Sequence, residues 1–379
     1  MSFSPLSALK CAAVLSAALI AGCGSDDGSS AFKAGQEAYR QHDLRKAGTF
    51  FEQAVAAAAT NADAYVCLSR VRLELGELKA ARQAIAKAAE LAGDDSDIRL
   101  LDAQISWHAK DYAAASAGFA RIANDSKLDP SLRAQGWSGL GVVEMTCENR
   151  DLARIAFLRA IRADRRNAAA RYHLGLLYRD GFDYPEAALE QLEIYVRLDD
   201  VASKRVQKVQ RSVIPEIKDV IARKAASRPG ASRSDSGASS AAIQKAEAAW
   251  KKGTYKTARK FYQDALAADP LSYPAALGLA KAHLQSDASR EGQKQALAAY
   301  QVACSLRPGS VSTFLTAGKL AMNLGQPARA ASLYSRAVAA NPTSLEALDG
   351  LITALRKTGN RAKDVKAYQD YRNSLVTKK

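Results

Sequence analysis

The chain has 379 residues and a formal net charge of +15, so it is long enough for two domains and strongly basic. Hydrophobic residues make up 48% of it but aromatic residues only 7%, a balance typical of alanine-rich helical repeats. The zincin, α/β-hydrolase, P-loop and protein-kinase motifs are all absent from the sequence. The composition and motifs therefore argue against a catalytic protein.

The first 22 residues predict a targeting segment that is not part of the fold. Lys10 is the only charge before an apolar run from Cys11 to Ala21. That run is shorter than the ~20 residues that cross a bilayer and suits the apolar region of a signal peptide. The run leads into the sequence LIAGC at residues 19–23, which resembles the lipobox of bacterial lipoproteins.

The lipobox resemblance implies cleavage before Cys23 and acylation of its thiol. The alternative is an ordinary secretory cleavage that leaves Cys23 free. Residues 23–30 are polar and predict a flexible tether. In such lipoproteins an Asp directly after the Cys favours the inner membrane. Because Gly24 stands there, we expect an outer-membrane lipoprotein that faces the periplasm.

A 34-residue spacing recurs over residues 31–200. An alanine is followed four residues later by a ring or aliphatic residue, and three after that by a small or apolar one. The copies are Ala47–Phe51–Ala54, Ala81–Ile85–Ala88 and Ala115–Phe119–Ile122, then, after a step of 38, Ala153–Phe157–Ala160 and Ala187–Gln191–Ile194. This spacing places three side chains on one helix face. The period indicates stacked helical units and a first array of about five repeats.

Residues 201–240 separate this array from a second one. Val201 to Ala226 predicts one basic helix interrupted at Pro215, and the Ser-, Gly- and Arg-rich sequence that follows predicts a linker. The spacing then resumes over residues 241–379. The copies there are Ala258–Tyr262–Ala265, Ala296–Tyr300–Ala303, Ala330–Tyr334–Ala337 and a degenerate Asp364–Tyr368–Tyr371.

The first repeat of this second array has the most complete set of turn and end signals. Lys252-Gly253-Thr254-Tyr255 precedes its alanine, and Asp269-Pro270 ends it. With the Leu-Gly pair at 174–175, these residues resemble the tetratricopeptide repeat. Nine copies start near 28, 62, 96, 134, 168, 239, 273, 311 and 345. The resemblance implies an all-α solenoid of helix-turn-helix units in a right-handed superhelix. It also implies a scaffold that binds other proteins and needs no cofactor or metal.

In that family the first helix of each repeat lines a ligand groove, at repeat positions 2, 5, 9, 12 and 13. Carried over, these positions predict an apolar groove in the first array, formed by Phe32, Tyr39, Leu73, Trp107, Met145 and Tyr172. They predict a basic groove in the second array, formed by Trp250, Lys251, Lys281, Lys319, Asn323, Arg356 and Lys357. Core packing between helices is the alternative for the apolar set, because one residue turns a helix by about 100°.

The first groove should accept an apolar helix or extended peptide, with Trp107 and Tyr172 as candidate anchors. The second should hold a carboxylate-rich segment through its lysines. Charge follows this division: residues 24–200 carry net −4, residues 201–240 net +6 and residues 241–379 net +12. A solvated basic face is the alternative to an anionic partner.

The remaining cysteines and histidines suggest no reactive site. Cys67, Cys147 and Cys304 are widely spaced and predict small buried side chains. The four histidines fall in different repeats. Gly139 and Gly141 imitate a nucleotide loop, but Glu144 stands where a third glycine would be, and the repeat already accounts for both glycines.

The sequence therefore predicts a non-enzymatic scaffold or adaptor lipoprotein that mediates protein–protein interactions at the bacterial envelope, with pilus or secretion-system assembly as examples. One alternative is a binding module for anionic polysaccharide in exopolysaccharide export, favoured by the basic second array. Another is an accessory of a peptidoglycan enzyme. The partners are other envelope proteins or peptides, and the expected extracytoplasmic location argues against nucleic acid.

Overall fold

A computed structural model describes residues 28–93, 95–199, 203–226, 235–359 and 361–377. Every regular element in these ranges is helical, and they contain no strand. The predicted signal peptide, Cys23, most of the tether and linker residues 227–234 lie outside the described residues. The backbone divides into two compact units, 1–173 and 174–379. Because a helix of the fifth predicted repeat spans this division, the array boundaries at 200 and 241 stay predictions.

The first unit consists of helices that pack in pairs along the chain. They are α1 (Ser29–Arg40), α2 (Leu44–Ala57), α3 (Ala62–Glu74), α4 (Leu78–Ala92), α5 (Ser96–His108), α6 (Tyr112–Asn124), α7 (Pro130–Thr146) and α8 (Arg150–Ala163). Helix α9 (Ala168–Leu176) crosses into the second unit. Their starting residues confirm the predicted repeats, except that α7 begins about one turn early. That extra turn accounts for the 38-residue step in the sequence.

The second unit opens with two further helical segments and continues with four helix pairs. Its helices are α10 (Pro185–Leu198), α11 (Lys204–Lys208), α12 (Ile214–Ala226), α13 (Ser236–Lys251), α14 (Tyr255–Ala268), α15 (Tyr273–Ser286), α16 (Arg290–Leu306), α17 (Val311–Asn323), α18 (Pro327–Ala340), α19 (Leu345–Thr358) and α20 (Ala362–Val376). The four pairs run from α13 with α14 to α19 with α20. We call these four pairs the second array.

Several repeats are held together by a ring that fits where a first helix carries glycine. A Cβ on Gly141 would lie 2.5 Å from a carbon of the Phe157 ring in the same repeat. A Cβ on Gly139 would lie equally close to the Phe119 ring of the preceding repeat. No side chain fits at that distance, so glycine lets the helices approach. The repeat therefore explains Gly139 and Gly141, whose spacing only resembles the start of a nucleotide-binding loop.

The predicted register of the fifth repeat is wrong by one residue. The buried positions of α10 are Ala188, Leu192 and Tyr195, not the predicted Ala187, Gln191 and Ile194. A π-helical turn at Leu177–Gly181 extends the preceding helix. Such a turn adds a residue and shifts everything after it. Leu192 then takes the place of the missing ring, against Gly175.

The basic helix after the fifth repeat continues past Pro215, which corrects the predicted interruption there. A π-helical turn, Val209–Val213, joins α11 to α12, and Pro215 is the second residue of α12. Proline lacks an N–H and crowds the carbonyl four residues earlier, and a wider turn relieves that crowding. Helix α12 packs on α10. Lys218 Nζ lies 3.1 Å from Glu193 Oε1 across that contact.

Within a repeat, the turn between the two helices uses one left-handed residue followed by the N-cap of the second helix. In the first unit these left-handed residues are His42, Gly76, Lys110 and Glu148; in the four-pair part of the second unit they include Gly253, Gly325 and Gly359. Asp43 and Asp111 are N-caps whose carboxylates accept backbone N–H groups of α2 and α6. The turn therefore reverses the chain in very few residues.

The three cysteines of the described residues are free thiols. Burial raises the pKa of the Cys304 thiol to about 12. Cys67 is half-buried, and Cys147 is exposed where α7 ends. The prediction that all three are buried is therefore wrong for Cys147, because the cysteine caps the end of its helix in a surface turn.

Candidate functional site

The first helices of successive repeats lie side by side in each unit. Helix α5 contacts both α3 and α7, α13 contacts α15, and α17 contacts α19. We call these helices the first-helix row, which in the first unit is α1, α3, α5 and α7 and in the second α13, α15, α17 and α19. The sequence places its ligand residues on this row, and the structure shows which of their side chains are accessible.

Two of the predicted apolar residues pack on the core of their own unit. Leu73 is only 9% exposed and belongs to a core cluster with Ile85 and Ile105. It is therefore a packing residue, because a leucine buried between helices offers no surface to a ligand. Phe32 is half-buried, and its ring centroid lies 5.8 Å from that of Phe51.

The other predicted apolar residues stay partly accessible. Trp107, Met145 and Tyr172 are half-buried. The Trp107 ring stands edge-on to His108 with centroids 4.8 Å apart. Its indole Nε1 is buried and has no hydrogen-bond acceptor among the described residues. Tyr172 lies at the end of the first unit, edge-on to His173.

Charged groups lie among these residues in the first unit. Tyr39 donates its hydroxyl hydrogen to the carboxylate of Glu74 on the next first helix. Burial raises the pKa of Asp97, and Asp95 adds to the rise while the Arg70 guanidinium opposes it. The first-helix row of this unit is thus apolar and charged together, rather than an apolar stripe.

Arg70 also lies close to a half-buried thiol on its own helix. Burial raises the pKa of Cys67 to about 11, although Arg70 acts in the opposite direction. The thiol is therefore protonated near neutral pH and behaves as a small apolar group.

Trp250 and Lys319 of the second unit are both engaged within the fold. Trp250 is half-buried against the core of α13 and α14, with its ring edge-on to Tyr255 at 4.9 Å. Lys319 Nζ lies 2.5 Å from Glu346 Oε1 on the neighbouring first helix. The lysine is therefore partly neutralised before any ligand arrives.

The remaining predicted residues of the basic groove are exposed but lie in two places. Lys281 is in the middle of α15. The other four lie in the last turn or two of their helices: Lys251, Asn323, Arg356 and Lys357. The structure therefore brings most of the predicted cations to the turn between the two helices of a repeat rather than to mid-groove.

A small cleft of about 130 Å³ lies in the second unit where α10 meets the loop before α17 and the end of α18. Tyr184, Glu186, Glu190, Phe314 and Arg336 are among the residues lining it. The Tyr184 hydroxyl donates to Ser335 Oγ at 3.0 Å. The Arg336 guanidinium lies 5.3 Å from the centroid of the Tyr184 ring. This contact joins the repeat before the linker to the second array.

The described residues contain no group of three or more His, Cys, Asp or Glu side chains arranged to hold a metal. None of the helices in that part of the chain is both long and apolar enough to span a bilayer.

Paired helices, glycine–ring locks and a row of first helices in each unit define a helical-repeat scaffold of the kind that serves protein–protein interaction. Two family models, both described as tetratricopeptide repeat, match residues 38–105 and residues 139–203, 243–311 and 315–374. These matches cover more than half of the chain. The chain belongs to the tetratricopeptide-repeat family, whose arrays generally bind proteins or peptides.

Several solved structures are similar to parts of this chain at low identity. PilF of Pseudomonas aeruginosa is 16% identical over 52% of this chain and 88% of its own, with a TM-score of 0.41. PilW, described as a type IV pilus biogenesis factor, is 13% identical over 66% and 98%, with a TM-score of 0.40. YrrB, described as having an unusual peptide-binding site, is 17% identical over 49% and 92%, with a TM-score of 0.33. No curated protein sequence matches significantly.

The acidic members of the first-helix row were not predicted as site residues. Glu74 follows Leu73, and Asp97 and Glu346 hold the second position of their repeats. Each is at a repeat position that the resemblance assigns to the groove. The signal that identifies them is therefore the repeat position itself, irrespective of side-chain chemistry.

Proposed function

We propose that this protein is an adaptor lipoprotein of the bacterial envelope, anchored through Cys23 in the outer membrane and facing the periplasm. The observation that carries the adaptor role is the first-helix row, which leaves Trp107, Met145 and Tyr172 partly accessible in a repeat fold used for protein binding. The lipobox-like sequence at residues 19–23 supports the anchor.

The two units suit different parts of a partner. In the first unit, accessible rings beside Tyr39, Glu74 and Arg70 suit an amphipathic helix or an extended peptide with both apolar and polar side chains. In the second unit, Lys281 and the other exposed cations predicted for the basic groove suit a carboxylate-rich segment of a partner. Pilus and secretion-system assembly are the first envelope systems to examine.

The test is a crosslinked pull-down of the lipidated protein from its native envelope, beside a Cys23→Ser control, with partners identified by mass spectrometry. We expect one envelope protein complex with the wild type and much less of it with the control. Recovery of the same partners in equal amounts from both would contradict the anchor, and recovery of no protein partner would contradict the adaptor role.

Trp107→Ala tests whether the first unit carries the partner site, with Trp137→Ala as its matched control. Trp137 is 9% exposed and lies 4.6 Å from the Arg159 guanidinium, so its loss should cost about 3–5 kcal/mol of stability. Trp107→Ala should instead weaken partner capture while stability falls much less. An equal loss of stability for both variants would make Trp107 a core residue.

The alternative function is the binding of an anionic polysaccharide, favoured by the exposed cations of the second unit. It predicts binding to alginate that falls steeply between ~0.1 M and ~1 M salt, because screening shortens from about 10 Å to about 3 Å. A protein partner held by the apolar part of the first unit should respond little to the same change. An accessory role toward a peptidoglycan enzyme would appear as that enzyme in the pull-down.

A further inference from the structure

The turns between the two helices of each repeat form one edge of the second array, and that edge is basic. We call the residues at or beside these turns the turn edge. Its cations are Lys251, Lys252, Lys256, Arg290, Arg329, Arg356, Lys357, Arg361 and Lys363. All of them are exposed except Arg361, which is half-buried. By contrast, the loops that join one repeat to the next, residues 269–272, 307–310 and 341–344, hold only Asp269 and Arg307 as charged residues.

Contacts between neighbouring repeats show that these turns lie next to one another. Arg259 of α14 donates to Ser286 Oγ at the end of α15 over 3.5 Å. Arg290 at the start of α16 donates to the carbonyl of Leu324 over 3.3 Å. Lys357 and residues 326–329 line a shared open cleft. The basic side chains therefore belong to one continuous surface along four repeats.

The few carboxylates at this edge already have partners. Glu291 pairs with Lys294, and Asp364 pairs with Arg361. Asp287 accepts the backbone N–H of Ser289 at 2.9 Å. Among the described residues, no carboxylate pairs with Lys252, Lys256 or the other fully exposed cations of the edge. The edge therefore presents uncompensated positive charge to solvent.

We propose that the turn edge of the second array is a docking surface for an anionic phospholipid membrane. A cluster of this size gains about fivefold in membrane affinity for each cation close to an anionic surface. Trp250 and Tyr255 stand edge-on at one end of the edge, and amphipathic rings of this kind favour the bilayer interface. The edge therefore combines the two features that hold a protein against lipid head groups.

The choice of a membrane rather than another polyanion rests on the proposed function, because a chain anchored through Cys23 would remain beside a bilayer. Docking of the turn edge would then be a second attachment to the membrane. The lipid anchor would strengthen it, because the anchor keeps the turn edge at a high local concentration near the bilayer. It would hold the second array against the bilayer surface.

The experiment uses the full chain carrying Cys23→Ser, so that binding does not depend on acylation. Sedimentation is measured with vesicles of phosphatidylcholine alone and of phosphatidylcholine mixed with phosphatidylglycerol. We expect binding only to the mixed vesicles, with a steep loss at high salt. Lys256→Glu with Lys363→Glu should weaken this binding about thirtyfold or more. Both lysines are second residues of their helices, where a carboxylate favours folding.

The matched control is Lys281→Glu with Lys319→Glu, which makes the same charge change on the first-helix row. Vesicle binding of this control should stay close to that of the parent chain, whereas capture of an acidic peptide should fall. Equal loss of vesicle binding in both variants would overturn the proposal, since net charge alone would then explain it. Binding to alginate but not to mixed vesicles would also overturn it. Failure of the pull-down would leave the vesicle result intact, so the two proposals fail separately.

Discussion

The two units form the turn between the two helices of a repeat with different residues. The first reverses the chain mostly with left-handed non-glycine residues, His42, Lys110 and Glu148, and once with Gly76, whereas the four helix pairs of the second use glycines such as Gly253. Beside these turns the first unit mixes acids and bases, and the second carries almost only cations. The repeat thus fixes the backbone of the turn and leaves its surface charge free. The difference between the units lies in their surfaces rather than in their architecture.

The units also place their ion pairs differently. In the first unit, the Arg154 guanidinium is fully buried and lies 2.9 Å from Asp151 Oδ1. In the second unit, the pair between Lys319 and Glu346 is more than half exposed on both sides. Water screens the charges of Lys319 and Glu346, whereas the buried Arg154 guanidinium is stabilised by the carboxylate of Asp151.

The largest effect that this comparison predicts is that of Asp151→Ala. Removing the carboxylate takes a counter-charge away from a fully buried guanidinium, which should cost about 3–5 kcal/mol. Glu346→Ala should cost only about 0–1 kcal/mol, because its pair is solvated. Urea unfolding of both variants measures the difference. Similar losses would show that burial does not separate the two pairs.

The glycine–ring lock should be equally important in both units. Gly139→Ala and Gly318→Ala would each place a Cβ within 2.7 Å of a ring carbon, so each should lose about 1–3 kcal/mol. Gly48→Ala is the control, because its Cβ meets nothing nearer than 3.5 Å and alanine favours a helix. Thermal unfolding should give a lower Tm for the first two and an unchanged or higher one for the third. An unchanged Tm for Gly318→Ala would show that the glycine–ring contact is important for stability only in the first unit.

Exchanging the turn residues between units tests the backbone comparison directly. Gly253→Ala adds a Cβ that meets no atom within 4 Å, so the loss of about 1 kcal/mol would come from the left-handed backbone alone. Lys110→Gly should relieve the same strain. Its gain in stability should be somewhat smaller than the loss for Gly253→Ala, since glycine loses more entropy on folding. Chemical denaturation of both variants measures this. Shifts of the same sign would contradict the interpretation.

A smaller effect should appear as a dependence of stability on pH. Burial lowers the pKa of His283, and Arg259 adds to the effect while Asp287 opposes it. Below about pH 6.5 the unfolded chain binds a proton that the folded His283 does not, so stability falls as the pH drops. His283→Gln should therefore flatten the decline between about pH 7 and pH 5, measured by urea unfolding at each pH. A decline of the same size in His283→Gln and in the parent chain would contradict this assignment.

The periodicity was sufficient to predict the helix pairs and their order, although α7 begins about one turn before its predicted start. The register of the fifth repeat could not be predicted, because a π-helical turn adds one residue and ordinary side chains such as those of Leu177–Gly181 do not signal it. The same limit applied at Pro215, where the sequence showed a proline but not the wider turn that accommodates it.

The candidate site was predicted less well than the fold. Leu73 and Trp107 hold equivalent repeat positions, yet one is a core residue and the other stays partly accessible. That difference depends on how neighbouring helices pack, which a single repeat does not reveal. The turn edge likewise arises only when distant residues such as Lys252 and Lys357 are brought to the same side of the array.

The glycine–ring lock has a consequence for how such a chain changes its length. The Tyr334 ring is contacted by Gly318 of its own repeat and by Gly350 of the next. Duplication or loss of a whole repeat keeps these rings beside their glycines, because a ring and its glycine are added or removed together. The chain also accepts a single extra helical turn. Helix α7 begins about one turn early, between Phe119 and Gly139, and that ring and glycine stay in contact.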